Sequence, residues 1–203
     1  LAKELEADAC EIYTDVMGIY TTDPRIEPRA KKIKEITYDE MLEMASLGAQ
    51  VMQPRSIEVA KKFNVPLHVR SSFNTKSGTM IIKEVKKMED VLVSGITLNK
   101  NEAKITLCGV PDKPGVAVKL FKELATCGVS VDMIVQNVSH TRSTDISFTV
   151  AKSDCLKASK ITRTVAKKIG AGEVLLDEDI ARVSIVGVGM KSHHGVAAKM
   201  FGI

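Results

Sequence analysis

Apolar and polar positions alternate with a period of two at residues 104–107, where Ile105 and Leu107 are interleaved with Lys104 and Thr106. That is the pattern of a half-buried strand. The segment GVPDKPG follows, and its Pro114 and Gly115 break pairing and open a turn. From there Val116, Leu120, Phe121 and Leu124 fall on one helical face, and Gly128 stands where a helix C-cap favours glycine. Val129, Val131, Met133 and Val135 alternate again as a second strand. Residues 143–150 read as a strand, 153–169 as a helix with Ser153 or Asp154 at its N-cap, and 174–176 as a last short strand. The order β-α-β-β-α-β predicts a ferredoxin-like α+β domain, two helices over one four-stranded antiparallel sheet.

The first part of the chain patterns differently. Residues 1–8 read as the end of a helix, 10–14 as a strand, 15–18 as a turn, and 20–25 (YTTDPR) as an irregular loop before a basic patch at 29–34. Thr37 and Glu40 form a capping-box pair, which predicts a helix over 38–49 with Met41, Leu42, Ala45 and Leu47 on its buried side. Pro54 suits the first turn of a second helix over 54–63, ending near Asn64. Strands are expected at 65–71 and 79–82, with loop NTKSG between them. The charged run 83–90 is the expected domain boundary, followed by a strand at 91–98 interrupted by Gly95 and a turn at 99–101. This half reads as α/β.

The stretch 103–133 is partly said again from residue 181. Gly109 corresponds to Gly187, Gly115 to Gly195, and Val116, Ala117, Lys119 and Phe121 to Val196, Ala197, Lys199 and Phe201. A separation that long is a domain duplication and not a solenoid period. In each copy a strand, a glycine loop and a helix present free backbone N–H groups at the helix start. That end favours a carboxylate by roughly 0.3–1 kcal/mol. The repeat is suited to holding a small anionic ligand.

Composition narrows the classes. Hydrophobic residues make up 44% and charged residues 27%, and the net charge is +4, with basic residues scattered among acidic ones. A nucleic-acid footprint is therefore not expected, and 4% aromatics with no Trp leave little to stack on bases. A ferredoxin-like RNA-binding sheet is disfavoured too, since Ile105 and Leu107 are aliphatic. Cys10, Cys108, Cys127 and Cys155 show no metal spacing and read as reduced, mostly buried thiols of a cytoplasmic protein. No apolar run reaches the length of a membrane span, so no membrane partner is expected. No kinase or P-loop motif is present, and the four histidines lack metal-ligand spacing; no metal site is expected. The ends fall inside helical patterns, so the expectation is a piece of a longer protein.

At this point several motifs, in order, resemble the aspartokinase family. EIYTDVMGIYTTDPR resembles its nucleotide loop. The segment ITYDEMLEMASLGAQVMQPRSIEVAKKFNVPLHVRSSF resembles the end of its amino-acid-kinase domain. GVPDKPGVA, VDMIVQNVS, TDISFTV and VSIVGVGMKSHHGVAAKMF resemble its paired regulatory ACT domains. The likeness covers essentially the whole chain. It implies ATP-dependent phosphorylation of the L-aspartate side chain, with Mg²⁺, and feedback by L-lysine and/or L-threonine. It also implies a homodimer or an α2β2 assembly through the ACT domains. Thr14, Asp15, Tyr20, Thr21, Thr22, Asp23, Pro24 and Arg25 would border ATP, with Gln50 and Val51 beside them. Asp112 would meet an effector's ammonium, and the N–H groups near Gly115 and Val116 its carboxylate. Val131, Asp132, Met133, Gln136 and Asn137 would complete that pocket, with Met190, Ser192 and His193 as counterparts from the second copy.

Three positions depart from the family's usual pattern: Met17 for Asp, Gln50 for Lys, and His194 for Pro. The lysine-glycine-glycine phosphate motif and the aspartate-binding residues of the family would lie before Leu1, so no catalytic residue is expected within this chain. The implied map is the end of the kinase domain at 1–82, a linker and the first strand of a second ACT domain at 83–102, the first ACT domain at 103–178, and a truncated remainder of the second at 179–203. The competing reading is a non-catalytic, amino-acid-sensing regulatory subunit.

Overall fold

A computed structural model describes residues 1–85, 93–138, 143–187 and 195–202. The chain forms two compact units, Leu1–Leu98 with Val183–Ile203, and Asn99–Arg182.

In the first unit, strands Cys10–Thr14 (β1), Glu35–Thr37 (β2), Leu67–Ser71 (β3) and Thr79–Ile82 (β4) make one sheet in the order β1-β3-β4-β2. β1 runs parallel to β3 and β2 parallel to β4, while β3 and β4 are antiparallel. Helices Tyr38–Ser46 (α1) and Pro54–Phe63 (α2) connect β2 to β3. The capping box forms as the sequence predicts: Thr37 Oγ1 accepts from Glu40 N–H at 3.3 Å, and the Glu40 carboxylate accepts from Thr37 N–H at 3.2 Å. Glu40 is buried, and its other carboxylate oxygen accepts from the Ser94 hydroxyl, so the buried charge is well supplied with donors. Asn64 ends α2 in the left-handed conformation (φ 53°), which asparagine tolerates better than most residues. Met41 and Met44 of α1, Ile57 and Ala60 of α2, and Leu67, Val69 and Ile81 of the sheet form the core. Burying each of the larger side chains is worth about 1.5–3 kcal/mol.

One expectation changes here, and one strand appears that the sequence did not announce. Residues 1–8 form successive hydrogen-bonded turns and not a helix end, with Leu5 N–H to Leu1 O and Ala7 N–H to Ala2 O both at 3.0 Å. Strand β2 is too short for its periodicity to show in the sequence; its place is set by pairing with β4.

In the second unit, Glu102–Pro111 (β6), Val116–Thr126 (α3), Val131–Val138 (β7), Ser143–Ala151 (β8), Cys155–Ile169 (α4) and Val174–Asp177 (β9) follow one another. The sheet order is β7-β8-β6-β9 with all neighbours antiparallel, the ferredoxin-like arrangement. The pleat of β6 sends Ile105 and Leu107 into the core, where they meet Phe148 of β8, Leu120 and Leu124 of α3, and Val165 of α4. Phe121 and Phe148 meet edge to face, with ring centroids 5.7 Å apart. The register of β6 against β8 shifts between Leu107 and Val110, a bulge that Gly109 serves with φ 61°. Asp154 occupies the N-cap position of α4 after a 3-10 turn, Lys152–Asp154, but its side chain makes no capping bond.

The remaining strands, Gly95–Asn99 (β5) and Arg182–Val186 (β10), pair in a two-stranded sheet. The strand expected at 91–98 thus starts at Gly95 within the described residues. Helix Val196–Phe201 (α5) follows Gly195. Gly195 (φ 89°, ψ 1°) and Gly115 (φ 84°, ψ −2°) are both left-handed N-caps, so the sequence repeat is also a backbone repeat. The cysteines differ from expectation: Cys155 is buried, Cys10 and Cys108 are half-buried, and Cys127 at the end of α3 is exposed. Among the described residues no helix is long and apolar enough to cross a membrane.

Candidate functional sites

The parallel pair β1 and β3 ends at Thr14 and Ser71. The chain leaves β1 there, and the carboxyl end of parallel strands is where α/β sheets tend to bind ligands. Thr14 Oγ1 accepts from Val16 N–H and donates to the Asp15 carboxylate, both at 3.1 Å, which turns the chain sharply. Residues 20–32 then form a closed loop. Its neck is Ile33 N–H to Ile19 O at 2.8 Å, an antiparallel bridge between Tyr20 and Lys32, and Thr21 N–H to Lys31 O at 2.9 Å.

Within the loop Asp23 organises its neighbours. Its carboxylate accepts from Arg25 N–H, Nε and Nη2 at 2.9, 3.1 and 2.9 Å, and its carbonyl accepts from the N–H groups of Ile26 and Glu27. The Arg25 guanidinium holds the Asp23 carboxyl below the usual carboxylate range. Glu27 does the same with Arg29, and the Arg29 hydrogen bonds lower its pKa to about 2. Both pairs are largely solvent-exposed, so they shape the loop more than they stabilise the fold. The structure therefore brings Tyr20, Thr21, Thr22, Asp23, Pro24 and Arg25 together on one loop, next in the chain to Thr14 and Asp15. Gln50 and Val51 belong to another segment, the turn between α1 and α2. Strand β5 reaches both regions: Ile96 N–H donates to Thr21 O at 2.7 Å, and Thr97 Oγ1 to Leu47 O at 3.1 Å. Met17 is exposed.

The second candidate site is a cleft of about 290 Å³ on the ferredoxin-like unit. It is lined by the end of β6 (Val110, Pro111), the loop Asp112, Lys113, Pro114 and Gly115, the start of α3 (Val116, Ala117), and Gln136, Thr144 and Ile146 of the sheet. No side chain caps the first turn of α3; Val116 N–H donates to Lys113 O at 3.4 Å, and the N–H groups of Ala117 and Val118 that follow have no i−4 partner within the helix. Asp112 supplies a negative charge, the α3 terminus a partial positive one, and Gln136 an amide that can donate or accept. A small zwitterion fits those three groups.

Of the expected effector residues, Asp112, Gly115, Val116 and Gln136 line this cleft. Val131, Asp132, Met133 and Asn137 lie along β7 and are not among its lining residues. Asp132 is instead 2.6 Å from Arg182 Nη1, Met133 N–H donates to Thr149 Oγ1, and Asn137 O accepts from Thr144 Oγ1. Met190, Ser192, His193 and His194 lie outside the described residues, as does His140. His68 is half-buried: its Nδ1 faces Glu11 Oε1 at 3.1 Å and its Nε2 accepts from Gly78 N–H at 3.3 Å.

Residues that hold the first loop from outside were not legible in the sequence. The Thr79 hydroxyl does so, as does Ser77 O, which accepts from Lys32 of the loop, and neither Thr79 nor Ser77 belongs to a recognisable motif. Among the described residues no three His, Cys, Asp or Glu side chains converge as a metal site.

The fold and these two sites define an amino-acid-kinase segment joined to an ACT-type α+β domain. Family models agree: the amino acid kinase family matches residues 1–71 and an ACT domain matches residues 105–164. An aspartate kinase of Pseudomonas putida is 54% identical over 99% of this chain and 49% of its own length. Escherichia coli aspartokinase III, solved with aspartate and ADP, is 29% identical with TM-score 0.81, matching all of this chain and 45% of that one. The regulatory subunit of aspartate kinase from Thermus thermophilus is 44% identical with TM-score 0.52, over 55% of this chain and 74% of its own. The chain belongs to the aspartokinase family. It spans about half the length of the curated relatives it matches.

Proposed function

We propose that this chain is the nucleotide-loop and regulatory part of an aspartate kinase that transfers the γ-phosphoryl group of ATP to the side-chain carboxylate of L-aspartate, giving 4-phospho-L-aspartate. The observation that carries the reading is the loop of residues 20–32 at the carboxyl end of the β1–β3 pair, in a chain 54% identical to an aspartate kinase. In this reading Thr14, Asp15, Tyr20, Thr21, Thr22, Asp23, Pro24, Arg25, Gln50 and Val51 border ATP. Mg²⁺ is bound with the nucleotide's phosphates. Catalysis of this kind is mostly positioning and charge neutralisation.

The cleft at Asp112, Gly115 and Gln136 binds the feedback amino acid, L-lysine and/or L-threonine, by its ammonium and carboxylate. Residues 95–99 and 182–202 belong to a second ACT domain, into which the first is inserted; the β5–β10 pairing and the matching glycine N-caps support this arrangement. The enzyme is cytoplasmic and assembles as a homodimer or α2β2 through its ACT domains.

The test is aspartate-dependent ATP turnover by the complete gene product, with and without lysine and threonine. Turnover suppressed by either amino acid supports the reading and identifies the effector. A regulatory subunit is the second reading, favoured by the 44% identity to the Thermus thermophilus regulatory subunit over 74% of that protein. Amino-acid binding without turnover would move the assignment there.

A further inference from the structure

Thr79 is fully buried at the start of β4, and its hydroxyl joins the two ends of the loop of residues 20–32. Thr79 Oγ1 accepts from Ile19 N–H at 2.8 Å and donates to Ile33 O at 2.5 Å. One hydroxyl has one proton to give and lone pairs to receive, so both roles are filled and both strands of the loop's neck are satisfied by the same atom. Gly18 is shaped to this contact. It sits at φ +128°, and a Cβ there would lie 2.7 Å from Thr79 Oγ1. Gly78 is equally tight, since a Cβ would lie 1.8 Å from Val69 O and force β3 aside. Lys32 reaches from the loop to Ser77 O, and Met80 N–H donates to Lys34 O at 2.9 Å just past the neck. The entry to β4 thus grips the loop through a side chain and through backbone, while the loop's own ion pairs, Asp23–Arg25 and Glu27–Arg29, are local and exposed.

We infer that Thr79 is a positioning residue for nucleotide binding: its hydroxyl fixes the neck of the loop, and through it the orientation of Tyr20 to Arg25. This rests on the assignment of that loop to ATP. Replacing the hydroxyl by a methyl leaves the buried Ile19 N–H and the part-buried Ile33 O without their partner, and the neck relieves this by opening. The loop then samples orientations in which its polar groups miss the nucleotide.

The experiment compares wild type, Thr79→Val and Thr79→Ser in the complete gene product. Two readouts are taken: ATP and aspartate KM with kcat, and the rate of tryptic cleavage after Arg25 and Arg29. With Thr79→Val, cleavage at those two sites accelerates about tenfold relative to cleavage elsewhere, because proteolysis follows the population of the opened loop. The KM for ATP rises about tenfold while that for aspartate stays within twofold, as expected when only the nucleotide's positioning is lost. Thr79→Ser restores both. Thr79→Ala carries the same expectations should the valine variant fail to fold. Unchanged loop cleavage and ATP KM in Thr79→Val or Thr79→Ala overturn the inference. So does a Thr79→Ser variant as impaired as the valine, because the hydroxyl would then not be what matters. A wild-type protein without ATP turnover overturns the kinase reading instead, and cleavage of the loop still reports on the clasp.

Discussion

Arg182 Nη2 lies 2.9 Å from Glu102 Oε1, an ion pair in which both side chains are largely withdrawn from water, at 14% and 4% exposure. Asp132 shares the same guanidinium from the start of β7, and Asn99 Nδ2 donates to Glu102 Oε1 at 2.8 Å. Glu102 Oε2 and Arg182 Nε have no hydrogen-bond partner, so the pair is incompletely solvated by the protein. Burial pushes the Glu102 carboxyl up, against the Arg182 charge that lowers it.

Removing the cation should therefore cost more than the pair contributes. Arg182→Met is expected to destabilise the ferredoxin-like unit by about 3–5 kcal/mol, because it leaves Glu102 buried without its counter-charge. The double variant Arg182→Met, Glu102→Met should recover most of that loss. Urea unfolding of the wild type, both single variants and the double variant measures the difference. A double variant no more stable than Arg182→Met would show that the pair matters for some reason other than charge burial.

The pH dependence of the same pair has a definite sign. A carboxyl whose folded pKa is raised favours folding most below its unfolded value and loses that contribution as pH rises through the folded value. The gap in stability between wild type and Arg182→Met should stay small while Glu102 is protonated in the folded protein and widen as pH rises through its folded pKa, which lies above the model-compound value of 4.5. Unfolding midpoints across pH 4 to 8 test this; a gap independent of pH would contradict it.

Glu27 has the opposite sign. Its pKa is lowered from 4.5 to about 2 by the Arg29 hydrogen bonds, so its contribution is present above 4.5 and is lost as pH falls toward 2. Carboxyl-carbon NMR should place its midpoint near 2, and Arg29→Ala should return it toward 4.5. A Glu27 midpoint that Arg29→Ala does not move would mean the pair is not formed in solution.

At the start of α1, Thr37→Ala removes a cap that accepts from Glu40 N–H and should cost about 1 kcal/mol. Thr37→Ser, which keeps the acceptor, should cost much less. Thermal unfolding of both variants measures it, and equal losses would assign the effect to the lost methyl and not to the cap.

The two candidate sites make separable kinetic predictions in the complete gene product. Arg25→Ala should raise the KM for ATP by about tenfold, the scale of one charge-assisted contact; a change confined to the aspartate KM would misplace the loop. Asp112→Ala should raise the half-inhibitory concentration of the feedback amino acid by about tenfold or more, by loss of the ammonium's counter-charge. Inhibition unchanged in that variant would remove Asp112 from the effector site.

Local rules carried much of this protein. Alternation at Ile105 and Leu107, the capping pair Thr37 and Glu40, Pro54 at a helix start and glycine at 115 and 195 are each decided by a few adjacent residues. Their backbone consequences can therefore be read along the chain. The repeat was legible for the same reason, and the motifs of the resemblance marked out the stretch up to Arg25 and the Asp112 turn. Tertiary structure decided what depends on residues distant in sequence. β2 exists because β4 offers it a partner, and Asp132 faces Arg182 because the start of β7 and the residue after the last turn of the unit meet in space. Thr79 became a clasp only when β4 was laid beside Ile19 and Ile33. A hydroxyl in a short apolar strand has no periodic signature, and its partners are backbone atoms that every residue carries, so no sequence pattern could have marked it.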